Sequence, residues 1–217
     1  MLLLAVVAPS AGASVFAWKV SKSPLAGYTA TTAVTSVDAT VTLPTFTCKS
    51  KSDAIASELA VIDTDTDEVS GAIIAMGCPS KKSSLYLAEI AVEGTASLPE
   101  VTLNPGDTVV MSTTCGATGT TVTIDDTTTD TSGQATSSTA SACAAVFIGD
   151  GGLEKGKGSA TAPLPSFGAI DYTDVTVNGD SFVSAAPTAT NYFEGKKATI
   201  TTGAIASDGT DFTTTQG

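Results

Sequence analysis

Between Glu100 and Val177 the chain is a series of short alternating runs separated by turn-forming residues. VTL is followed by the turn NPGD, TVVMSTT by CGATG, and TTVTID by DTTTDTSG; AAVFIG (144–149) and FGAIDYTDVTV (167–177) complete the set. Apolar residues at every second position mark strands with one buried face, and turns every ~8–12 residues mark hairpins, so a sandwich or barrel is expected. No window carries a sustained apolar stripe of period 3.6, so little helix is expected.

Upstream, SVDATVTLPTF (36–46), LAVID (59–63), GAIIAMG (71–77) and SLYLAEIAV (84–92) read as further strands. In the last, Leu85, Leu87, Glu89 and Ala91 share one face, and Tyr86, Ala88, Ile90 and Val92 share the other. A glutamate among apolar neighbours on such a strand either faces solvent or lines a groove. Residues 18–36 are polar and Thr/Ser-rich and suggest no strand. SFVSA (181–185) and KKATITT (196–202) are weaker strand candidates.

The chain has 217 residues, enough for one β-rich domain with a core. Its net charge is −12, and its ten basic residues are all lysines. Without Arg it lacks the bidentate fork that reads phosphates and guanine edges, and its charge repels a polyanion, so nucleic acid is excluded as a partner. The absence of His removes Ser-His-Asp and Cys-His catalysis and the usual zinc sites. No metal or cofactor is expected, and chemistry is left to carboxylates, amides, hydroxyls and backbone.

MLLLAVVAPSAGA reads as a secretory signal without a basic n-region, ending in a small-residue pattern with cleavage after Ala13 or Ala17. Residues 1–17 are therefore assigned to a leader and 18–217 to one β-sandwich domain. The apolar run is too short for a membrane span. Cys48, Cys78, Cys115 and Cys143 allow two disulfides in three connectivities. Strand ends that meet favour Cys115 with Cys143 and Cys48 with Cys78. An extracellular, monomeric protein is expected, with no N-glycosylation sequon.

Three motifs are near misses. Asp63, Asp65 and Asp67 open like a calcium loop, but the sixth and twelfth positions are Glu68 and Ile74 instead of Gly and Glu. Gly151, Gly156 and Lys157 resemble a phosphate loop, with Gly158 where a magnesium-holding hydroxyl belongs. Asp125, Asp126, Asp171 and Asp174 offer carboxyls for a glycosidase pair, but solvated turn charges are the default reading.

Several stretches in order resemble the eqolisins, secreted glutamic peptidases of fungi. SVDATVTLP resembles the family's Val-Ser-Gly-Thr-Phe-x-Val-Pro strand, SELAVIDT its Ser-Ser-Trp-Val-Gly-Ile-Asp-Gly strand, and GAIIAMG its Thr-Ala-Ile-Leu-Gln-Thr-Gly strand. LYLAEIAVE resembles Trp-Tyr-Glu-Trp-Tyr-Pro-Asp, VTLNPGDTV and GTTVTIDDTTT match the following turn and strand, and PLPSFGAIDYTDV matches Pro-Phe-Ala-Asp-Phe-Gly-x-Val-x-Phe-Thr-Asn-Ala. The resemblance spans roughly residues 27–180. It implies an all-β fold, a jelly-roll-like sandwich of two antiparallel sheets similar to concanavalin A.

The family's chemistry uses a glutamate as general base and a glutamine amide that stabilises the oxyanion. The resemblance puts the glutamine on Ala75 and the glutamates of the Ala-Glu-Trp-Ile-Val-Glu-Asp strand on Ala145 and Gly149. The groove tryptophans fall on Leu59, Leu87 and Val146, and Asp63 and Glu89 remain as groove acids. A one-residue slip would bring in Asp150 but turn it to the other face of its strand. Gln134 lies in a turn-like TSGQ stretch. Methyls and hydrogens neither shuttle protons nor bind an oxyanion, so the expectation is a non-catalytic relative whose groove binds peptide or glycan. The alternatives are an acid endopeptidase working through a carboxylate-activated water, and a structural surface protein.

Overall fold

The computed structural model describes residues 18–155, 161–194 and 197–217. The expected leader and Gly156, Lys157 and Gly158 lie outside them. The strands, in chain order, are β1 (Trp18–Val34), β2 (Ser36–Thr42), β3 (Ala54–Asp63), β4 (Val69–Ser80), β5 (Ser83–Val92), β6 (Thr95–Ser97), β7 (Thr108–Gly116) and β8 (Gly119–Asp126). There follow β9 (Thr131–Thr136), β10 (Cys143–Lys155), β11 (Ala169–Val177), β12 (Asp180–Ser181), β13 (Thr188–Thr190), β14 (Tyr192–Glu194), β15 (Lys197–Thr202) and β16 (Phe212–Gln216). A 3-10 turn covers Phe182–Ala185, where a strand is expected from SFVSA. The tight turn seats Phe182 in the core, against Tyr28 and Phe212.

Two antiparallel sheets pack face to face. One has the order β13-β1-β10-β3-β4-β5-β6, the other β14-β15-β16-β11-β2-β7-β8-β9 with β12 on β11. β2, β7 and β8 obey strict alternation: Val37, Ala39, Val41, Val109, Met111, Val122 and Ile124 are buried, while their neighbours are half-buried or exposed. That is the signature of a sheet with one face on the core. β3 and β4 are buried on both faces. Ile55, Leu59, Val61, Ala72, Ile74 and Met76 belong to the core between the sheets. Ala54, Ala56, Ala60, Ile73 and Ala75 form a separate apolar cluster on the outer face.

Two expectations about strands need correction. β1 runs through the Thr/Ser-rich stretch and pairs with β10 from Trp18 to Val34; Thr tolerates a pleated surface well, and Ala26, Tyr28, Ala30 and Val34 supply its inner face. The TSGQ stretch forms β9 as an edge strand on β8, with Gln134 opposite Thr123. Its side chains alternate between exposed and half-buried, which is why it reads as a loop.

The disulfides join Cys48 to Cys78 and Cys115 to Cys143, with Cα–Cα distances of 5.7 and 6.1 Å. The first ties the loop before β3 to the end of β4. The second ties β7 of one sheet to the start of β10 of the other. Closing 28 residues restricts the unfolded chain by roughly 3.5 kcal/mol in the loop-entropy picture. The double variant Cys115→Ala/Cys143→Ala should lose about that much in urea denaturation, with strand content by circular dichroism unchanged.

Candidate functional site: the outer face of the seven-stranded sheet

The pairing register places the outer face row by row. Gly149 of β10 stands opposite Glu58 of β3, Glu58 opposite Ile73 of β4, and Ile73 opposite Glu89 of β5. The next row is Gly151, Ala56, Ala75 and Leu87. Two carboxyl side chains thus share one row and one face, two strands apart, with Ile73 between them.

Both glutamates are buried, Glu58 fully and Glu89 to 2% exposure. Neither oxygen of Glu58 has a hydrogen-bond partner, and Oε1 of Glu89 has none. Burial pushes the Glu58 carboxyl up to about 8, helped by the negative charges of Asp150 and Glu89. Burial alone lifts Glu89 to about 7. A carboxyl deprived of water and donors keeps its proton, because the charged form loses far more solvation than the neutral acid. Glu58 has room because β10 is bare beside it. A Cβ on Gly151 would come within 2.7 Å of Glu58 Oε1 and 2.8 Å of Leu25 Cδ2.

Gly149 is bare for a different reason. It faces Gly27 of β1, and both have positive φ, +154° and +144°. A Cβ on Gly149 would lie 2.1 Å from the Ala26 carbonyl oxygen, and one on Gly27 would lie 2.2 Å from that of Ile148. The two backbones approach too closely for any side chain at either position.

On the opposite face of the same strands a carboxylate is fully partnered. Asp150 turns into the core, where Ser57 Oγ donates to it at 2.7 Å and Tyr172 OH at 2.9 Å; Thr214 Oγ1 donates to its other oxygen. Ser57 comes from the seven-stranded sheet, Tyr172 and Thr214 from the nine-stranded one, so the group pins the sheets together. Burial lifts Asp150 to about 6, against the lowering effect of the three hydroxyls.

A model of the Peptidase A4 family matches residues 23–216. The chain belongs to that family. Two crystal structures of scytalido-glutamic peptidase, each with a transition-state analogue, are 20% identical to it, cover 90% of this chain and 99% of their own, and superpose with TM-scores of 0.73 and 0.69. SCP-B, an eqolisin solved with the tripeptide Ala-Ile-His, is 22% identical over the same shares with a TM-score of 0.65. Among curated proteins no sequence matches the chain. The eqolisin sandwich inferred from the sequence is thus the fold of this Peptidase A4 member.

Within this frame the family-implied positions separate. Ala75 and Ala145 both lie on the outer face, but Ala75 pairs with Ala56 and Ala145 with Ile62, six residues further along β3. At ~3.4 Å per residue the two stand roughly 20 Å apart, too far for one catalytic pair. Gly149 and Gly151 are the β10 positions near Ala75, and neither has a side chain. Ala145 instead lines a cavity of about 170 Å³ with Leu25, Ile62 and Phe147.

Leu87 lies on the outer face, but Leu59 and Val146 do not: both are core residues between the sheets. The alternation of β3 and β10 puts Glu58 and Ala145 outward and their neighbours Leu59 and Val146 inward. Asp63 is not a groove acid either. Its Oδ1 accepts from the amides of Asp65 and Thr66, and its Oδ2 from Ser141 Oγ and the Ala142 amide. Burial opposes its charge, but these donors prevail and hold its carboxyl below the usual range. It closes the turn that had suggested a calcium loop. Asp125 and Asp126 lie on β8, and β2 and β7 separate that strand from β11, which carries Asp171 and Asp174, so no glycosidase pair forms. Among the described residues no cluster of metal-ligating side chains occurs.

Glu58 escapes the sequence reading, which starts its strand one residue later. The available signal is a single charge inside the apolar run AIASELAVI. For the inner pin, Asp150→Ala should lower stability by roughly 2–4 kcal/mol in urea, because three buried hydroxyls lose their acceptor. Asp150→Asn, which keeps an acceptor, should cost clearly less at pH 7.

Proposed function

We propose that this Peptidase A4 member is a secreted, non-catalytic binding protein that takes peptide segments on the outer face of its seven-stranded sheet. The observation that carries the reading is the row geometry around Ala75. General-base hydrolysis needs a carboxylate within reach of a water and a donor for the oxyanion. Ala75 offers a methyl, and the β10 positions near it are glycines, one of them held bare by the approach to Gly27.

Peptide is preferred to glycan on the lining of the face. The cavity beside Ala145, walled by Leu25, Ile62 and Phe147, has the size and polarity for one apolar side chain. Sugar recognition favours exposed aromatic platforms, and among the residues whose side chains are described the exposed large apolar ones are Val183 and Phe193, neither on this sheet. The two disulfides and the expected leader support secretion.

A second reading, an acid endopeptidase, has one observation in its favour: the outer face retains two carboxyls, Glu58 and Glu89, in one row. Both are buried, Glu58 without a donor on either oxygen and Glu89 without one on Oε1, and protonated acids cannot act as bases at the low pH where such an enzyme would work. Purified protein incubated with denatured casein from pH 2 to 7 should release no peptides above a no-protein control. Cleavage that disappears in Glu89→Gln or Glu58→Gln would overturn the non-catalytic reading in favour of the second.

A further inference from the structure

The mechanism of neither reading uses the burial of Glu58 and Glu89, and their burial is costly. Among the described side chains, those around the pair cannot stabilise a negative charge. β4 contributes Ile73 between them, β10 contributes Gly149 and Gly151, and β1 contributes Leu25. The outer cluster around them is Ala54, Ala56, Ala60, Ala75 and Ala91, with Leu87 and Ile62 at its margin. The charges acting on Glu58 are those of Glu89, across Ile73, and of Asp150, on the far side of the sheet. Ser57 faces away and is committed to Asp150. Of the lysines whose side chains are described, Lys49, Lys51, Lys81 and Lys82 are exposed in turns.

We propose that Glu58 and Glu89 are a proton-operated latch: with both carboxyls protonated the outer face of β3, β4 and β5 stays closed, and loss of their protons opens it to water. Two neutral carboxylic acids can lie among methyl groups at modest cost. Two carboxylates in one row, without a donor or cation, cannot, since each loses its hydration and repels the other. The relief available is local. Strands β3 to β5 must loosen on their outer side until water reaches the carboxyls, while the inner face, held by the core and by Asp150, need not part. The latch holds whether or not the face binds a ligand, and whether or not the protein hydrolyses anything.

The direction with pH follows from linkage. Each group's pKa is raised in the folded state from its ordinary value of 4.5, to about 8 for Glu58 and about 7 for Glu89. Between those limits the folded state binds more protons than the unfolded one, so stability is full below pH 4.5 and falls as pH rises toward 8. Asp150 has the same sign, with its change centred near pH 6 and fading over the next pH unit. From pH 6.5 to 8.5 most of the change therefore belongs to the pair.

Hydrogen exchange read by mass spectrometry, corrected for intrinsic rates, tests the latch. In the wild type, protection of peptides covering 54–63, 71–77 and 85–92 should fall at least tenfold from pH 6.5 to 8.5. Peptides covering β7 and β8 of the other sheet should change much less. The melting temperature should drop by roughly 5 °C or more over the same interval. In Glu58→Gln/Glu89→Gln both changes should vanish. Glu58→Met, which fills the space with no polar atom, should melt higher than wild type at pH 8.5 and serves if the double variant folds poorly. Unchanged wild-type protection in the three strands, or an equal loss in the variants, overturns the proposal. Because the readout involves no substrate, its failure leaves the absence of proteolysis untouched, and the reverse also holds.

Discussion

The contact between Gly27 and Gly149 sets the terms for the outer face. Two strands whose backbones meet at a carbonyl-to-Cα approach cannot carry side chains there, and the pairing of β1 with β10 continues on both sides of that point. β10 is consequently bare at Gly149, and Gly151 beside it is kept bare by Glu58 and Leu25, so β10 presents no side chain near Ala75. A glutamate at Gly149 would therefore take more than a point substitution. Restoring a side chain at Gly149 would require β1 to move, and β1 is sewn to β10 along most of its length.

Once β10 is bare, the neighbouring strand has space to fill it. Glu58 does so, from β3, with its carboxyl beside Leu25 and over Gly151. The result is an asymmetry across one sheet. Adjacent residues Ser57 and Glu58 point to opposite faces. The inner one helps satisfy Asp150, and the outer one brings a carboxyl with nothing to satisfy it. Evidently the core between the sheets tolerates a charged group because three hydroxyls from two sheets converge on it. Among the described residues the outer face offers Glu58 no comparable donor, and burial raises the pKa of both its carboxyls instead.

How much of this was legible in the sequence depends on whether a strand has one apolar face or two. β2, β7 and β8 alternate clearly, and in β5 the faces of Leu87 and Glu89 follow from counting by twos. β3 and β10 are apolar on both sides, so a run such as AIASELAVI is compatible with either phase. That ambiguity turned Leu59 and Val146 outward in the sequence reading when the structure turns them into the core. It also left Glu58 outside the strand that carries it. Asp63 misled for another reason: a side chain that caps its own turn is written with the same letters as one that lines a groove. β1 was invisible because threonines on its outer face look like loop composition.

Resemblance to a family located the strands, and register then decided what they can do. By motif alone Ala145 and Gly149 are equivalent heirs of the family's glutamates. By pairing they are not, since only Gly149 lies near Ala75, while Ala145 stands about six residues along the strand beside an apolar cavity. An alignment that matches letters can thus place two halves of a site roughly 20 Å apart without any sign of error. The physical test of such a site is whether its members share a row. Here the members that share a row are Glu58 and Glu89, a pair that no motif joins and that the backbone of β10 makes room for.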